Sequence, residues 1–179
     1  VRGNAADHLT KDVVPYILSN FGVSRDSANW GIVGWSAGGT CALTLSVMHP
    51  ERFGAFVDID GQLGPTAGTK QQTIARLFGG DADAWAAFDP RTVIAKHGAY
   101  SGLSGWFAVS VDTPTVYRAP TDAGPLPAGD TDPNPEDHAA IANRLSQSAS
   151  SHGIECAVVP NPGKHDFSSA ASAFAVAQI

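Results

Sequence analysis

The stretch Trp30-Gly31-Ile32-Val33-Gly34-Trp35-Ser36-Ala37-Gly38-Gly39 decides the fold, because it reads as a short apolar strand running straight into a helix. Residues 30–35 have the length and apolarity of a buried strand, and the helical pattern continues over Ala37–Met48. At the junction, Gly34-Trp35-Ser36-Ala37-Gly38 matches Gly-x-Ser-x-Gly. A serine in that context sits in a strained turn with its hydroxyl exposed above the sheet, which makes Ser36 the candidate nucleophile. Glycines two residues to either side are expected to remove Cβ atoms where strand and helix nearly touch. The backbone N–H of Ala37, at the helix start, would face a developing oxyanion with the helix dipole behind it.

Outward from this motif, three more apolar runs, Ala55–Ile59, 106–111 and 154–159, alternate with longer helical stretches. That alternation predicts an α/β fold with a mostly parallel sheet and flanking helices, in one domain over residues 1–179. Leu9, Val13, Ile17 and Phe21 recur four apart, so a helix is expected over 5–21, stopped by Gly22 and either kinked or started by Pro15. Lys70–Phe78 reads as a helix capped by Thr69 and stopped by Gly79-Gly80, and Asp89-Pro90 as another helix start. Between Pro114 and Pro135, prolines and carboxylates replace apolar residues, which predicts a long surface loop. Asn134-Pro135-Glu136-Asp137 then opens a helix expected to end near His152.

Composition narrows the function. With 43% hydrophobic and 16% charged residues, the 179-residue chain has the make-up of an ordinary globular domain. Its net charge of -6, from 11 Lys and Arg against 17 Asp and Glu, supplies no basic stripe for phosphates, so a nucleic-acid partner is excluded. No apolar run approaches the roughly 20 residues of a membrane span, and Val1-Arg2-Gly3-Asn4 is not a signal sequence. The six histidines lack metal-ligand spacing, so no catalytic metal is expected. Cys41 and Cys156 read as two buried free thiols, with a disulfide as the other possibility.

A serine hydroxyl needs a base. His165, in Pro162-Gly163-Lys164-His165-Asp166-Phe167, follows the last predicted strand and stands after Ser36 in the chain, as hydrolases of this type require. His49 and His152 sit at helix ends and His138 within a helix, where structural roles suffice. The orienting carboxylate should follow a strand and precede His165, which favours Asp112, with Asp58 and Asp60 next; Asp122, Asp130 and Asp132 fall in the long loop. Trp85 and Phe88 are candidates for lining an acyl pocket, although packing in the core is the commoner use of such aromatics.

At this point the chain resembles the esterase family that includes esterase D and the mycobacterial mycolyltransferases. The likeness rests on a helix with Val14-Pro15-Tyr16, the 30–39 segment, His49-Pro50-Glu51-Arg52-Phe53 and Gly163-Lys164-His165-Asp166-Phe167, with Phe167 standing where relatives commonly carry tryptophan. The resemblance implies an α/β-hydrolase, outside the cytoplasm or at the cell envelope, acting on small-molecule, lipid or carbohydrate esters through Ser36, His165 and Asp112 without a cofactor. The other class of function it allows is a noncatalytic surface protein that binds glycan or matrix. In such hydrolases several strands precede the nucleophile strand, yet here it is the first. The 30–35 strand is therefore expected at a sheet edge. The earlier strands, the second oxyanion donor and any signal or membrane anchor would lie before Val1.

Overall fold

The computed structural model describes residues 5–111 and 134–177. Asp112 and most of the proline-rich loop lie outside the described residues. Four strands, β1 (Gly31–Trp35), β2 (Ala55–Ile59), β3 (Ser104–Val111) and β4 (Glu155–Pro162), form one parallel sheet in the order β1-β2-β3-β4. Among the described residues β1 is an edge strand, as its place in the sequence predicts. The helices are α1 (residues 5–20), α2 (Ala37–Met48), α3 (Lys70–Phe78), α4 (Ala82–Ala86), α5 (Pro90–His97), α6 (His138–Ser150) and α7 (Phe167–Val176).

Alternation along β2 builds the two layers. Phe56 faces the larger core with Leu43 and Val47 of α2, Ile94 of α5 and Leu145 of α6, while Val57 and Ile59 face Ala170 and Ala173 of α7. Phe56 lies opposite Gly105 on β3, and a Cβ at Gly105 would strike its ring. Truncating a side chain as buried as Phe56 costs about 3–5 kcal/mol in a tightly packed core. The second helix, α2, is buried along most of its length, which explains why it reads as apolar all round.

Two local expectations are corrected and a third is resolved. Pro15 stands in the first turn of the α-helical part of α1, Val14–Asn20: the turn before it, His8–Val13, is wound as a π-helix, and the Val14 N–H donates to the Leu9 carbonyl five residues back. This wider turn accommodates a residue that lacks an N–H and whose ring crowds the preceding carbonyls. The helix after the loop begins at His138, because the Asp137 carboxylate accepts from Ala140 N–H while Asn134 caps only a turn at Glu136. Both cysteines are free, but Cys41 is exposed rather than buried.

The glycines of the motif also divide differently from the expectation. Gly34 has no room for a side chain, since a Cβ there would collide with the Gly38 carbonyl, whereas a Cβ on Gly38 meets open space. The second obligatory glycine is Gly39, whose Cβ would strike the Asp58 carboxylate. Gly38→Ala is accordingly expected to raise unfolding free energy by about 0.5–1 kcal/mol through helix propensity, and Gly39→Ala to lower it by about 1–3 kcal/mol through overpacking. Urea melts of the two variants check this, and equal effects would contradict the assignment.

Candidate active site

Ser36 joins β1 to α2 at φ 56° and ψ -123°, a conformation that costs a non-glycine residue on the order of 1–3 kcal/mol. Its N–H donates to the Ile59 carbonyl at 2.8 Å, which ties the elbow to β2, and its carbonyl accepts from Thr40 at 3.1 Å to begin the helix. Ala37 is the first residue of α2, so its N–H is one of the helix-end donors with no intrahelical acceptor.

His165 lies in the loop between β4 and α7. Gly163 N–H donates to Val111 O at 3.1 Å, Lys164 N–H to Ser169 Oγ at 3.0 Å and Asn161 Nδ2 to Ser169 O at 2.8 Å, so the loop is fastened on both sides of the histidine. The adjacent Asp166 is committed elsewhere: its carboxylate caps α7 by accepting from Ser169 N–H at 2.9 Å and Ser168 Oγ at 2.8 Å. These hydrogen bonds, led by the Ser169 N–H, hold its pKa below the ordinary value.

Nε2 of His165 stands 3.1 Å from Ser36 Oγ. Its Nδ1 stands 3.5 Å from Asp60 Oδ2, and the Asp60 side chain is wholly buried. The Asp60 carboxylate is clamped by Ser110, whose N–H donates at 2.7 Å and whose hydroxyl donates at 2.6 Å. The carboxylate therefore favours a proton on Nδ1, which leaves the Nε2 lone pair free to accept from the serine hydroxyl. Among the described residues it is Asp60, ranked behind Asp112 in the sequence reading, that meets the histidine. Sheet register explains how: Ile59 pairs with both Trp35 and Ala108, so Asp60 leaves β2 level with Ser36.

The rings around His165 were less legible. Trp35 packs at 4.9 Å on an inclined plane, and His138, expected to be only a helix residue, stacks at 4.9 Å within 2° of parallel. His138 Nδ1–H donates to the Gly61 carbonyl at 3.2 Å, which anchors that ring to the turn following Asp60. The proximity of Asp137 as a helix cap was the available signal for its position, but not for the stack.

Asp58, two residues before Asp60, contacts different groups. It is 2% exposed, lies against the bare Cα positions of Gly39 and Gly61, and its Oδ1 has no hydrogen-bond partner among the described residues. Burial, opposed by the Gly61 N–H and reinforced by the charge of Asp60, pushes its pKa up to about 7. A carboxyl raised in the folded state stabilises most below its ordinary 3.8, and that contribution is lost as pH rises toward 7. Measured by urea unfolding, the wild type should therefore lose stability relative to Asp58→Asn across this window, by at most about 1.4 kcal/mol per pH unit. A difference that does not change with pH would contradict a buried, protonated Asp58.

Comparisons with known proteins agree with the architecture. The family model described as "Putative esterase" matches residues 3–168. An uncharacterized protein of Corynebacterium glutamicum is 47% identical over 117 residues, covering 63% of this chain and 28% of that protein. Among solved structures, an S-formylglutathione hydrolase from Agrobacterium tumefaciens superimposes with a TM-score of 0.60 at 14% identity, covering 95% of this chain and 54% of that one. MPT51 of Mycobacterium tuberculosis gives 0.55 at 21% identity, with 92% and 62% covered. FphF, a fluorophosphonate-binding serine hydrolase of Staphylococcus aureus, gives 0.59 at 13% identity, with 94% and 60% covered. At such identities the likeness shows the α/β-hydrolase fold. The chain spans 28% of its curated relative and little more than half of these solved chains.

Proposed function

The chain belongs to the esterase family, and on that premise we propose that it is a serine hydrolase that cleaves or transfers the acyl group of carboxylic esters. The observation that carries this reading is the line Ser36 Oγ, His165 Nε2, His165 Nδ1, Asp60 Oδ2, with separations of 3.1 and 3.5 Å across the ring. Ser36 Oγ attacks the ester carbonyl carbon as its proton passes to His165 Nε2. The carbonyl oxygen, now negative, turns toward the Ala37 N–H at the positive end of α2. Asp60 stabilises the imidazolium through Nδ1–H and holds the ring in place. His165 then protonates the leaving alkoxide, so the C–O bond of the ester breaks and an acyl-serine remains. A water or a second alcohol, deprotonated by the same nitrogen, releases the acyl group and restores Ser36. A noncatalytic binding role gives no reason for a serine to be held at φ 56° within reach of a histidine base.

A fluorophosphonate probe is expected to label Ser36, identified by peptide mass spectrometry, and to leave Ser36→Ala unlabelled. Failure to label Ser36 overturns the covalent mechanism. For the acid, Asp60→Asn should keep the fold and lower kcat by about 10⁴-fold through the wrong histidine tautomer, while Asp112→Asn should change it by less than about tenfold. The reverse pattern moves the carboxylate role to Asp112.

A further inference from the structure

Beside the elbow, a cavity of about 290 Å3 opens between α2 and the segments that follow β2, lined by Ala37, Cys41 and Thr44 on the helix and also by Leu77 and Phe88. We propose that this cavity is the acyl-chain site and that it selects esters of unbranched aliphatic acids of medium length, an inference that rests on the catalytic role of Ser36. Three features carry it.

The first is continuity with the chemistry. Ala37 both walls the cavity and offers the N–H toward which the ester oxygen turns, so a substituent on the reacting carbonyl has a direct way in. Positions 37, 41 and 44 recur at helical spacing on one face of α2, and the groove therefore runs along the helix away from Ser36. From 37 to 44 that is roughly 10 Å of helix, the reach of roughly six to eight chain carbons.

The second is the character of the walls. Leu77, Phe88 and the alanines are apolar, and the Thr40 hydroxyl is already engaged as acceptor from Gln62 N–H at 2.8 Å. Such a lining favours hydrocarbon over a sugar or a charged group. Phe88, one of two aromatics singled out from the sequence, meets this cavity, whereas Trp85 is spent in packing, its Nε1–H donating to Pro65 O at 3.2 Å.

The third feature limits chain length. Along α2 the lining ends at Thr44 and Leu45, so methylenes beyond that point gain no further apolar burial.

The test compares kcat/KM for p-nitrophenyl acetate, hexanoate and dodecanoate. Hexanoate should exceed both, and in Cys41→Phe, which fills the groove, the hexanoate-to-acetate ratio should fall by about tenfold or more. An unchanged ratio overturns the proposal. If no ester is turned over, the catalytic reading fails on its own, and the cavity is decided by alkylation of the wild-type chain with N-ethylmaleimide. Octanoate should slow modification of Cys41 while leaving Cys156, remote on β4, as the internal reference. Equal rates with and without octanoate overturn the site.

Discussion

The backbone of β1 passes so close to the first turn of α2 that no Cβ fits at Gly34, and the rest of the site depends on that contact. It allows the chain no gradual bend, so Ser36 takes up the whole change of direction at a positive φ. The strain, on the order of 1–3 kcal/mol, is held by the hydrogen bond from Ser36 N–H to β2 and by a helix buried along its length. Parallel strands then gather the remaining groups at one end of the sheet. Asp60 leaves the neighbouring strand at the level of the serine, and His165 arrives from the loop after β4.

Two carboxyls from the end of one strand receive opposite treatment, and environment decides it. Asp60 is met by two donors from Ser110 and stands against the imidazole. Asp58, two residues earlier, fills the space left by Gly39 and Gly61, where burial outweighs the single backbone donor and favours the protonated form. Gly39 thus has a spatial cause in the next strand: the elbow and Asp58 are packed as one unit. Aromatic rings complete the arrangement, since Trp35 and His138 hold the His165 ring from two directions.

Much of this was legible in the sequence because it is local. Strand-length apolar runs, a serine between glycines at a strand-helix junction, and caps such as Thr69 and Asp89 each act within a few residues, and each occurs where expected. The choice among carboxylates is not local. It depends on which strand lies beside β1 and in what register, and neither is written in the spacing between Ser36 and His165. The stacked His138 and the use of Gly39 in place of Gly38 are hidden for the same reason, since both are set by contacts more than 15 residues away in the chain. Pro15 is a local signal too: the α-helical segment whose first turn it occupies follows a π-helical turn.

The central claim is that the strained elbow, the histidine and Asp60 act as one relay. Its most direct test is a crystal structure of the phosphonylated protein. The account predicts phosphorus bonded to Ser36 Oγ, a phosphonyl oxygen within about 3 Å of Ala37 N, and His165 Nδ1 hydrogen-bonded to Asp60 at about 2.7–3.2 Å. A histidine paired through Nδ1 with any other carboxylate, or phosphorus on any other residue, would contradict it.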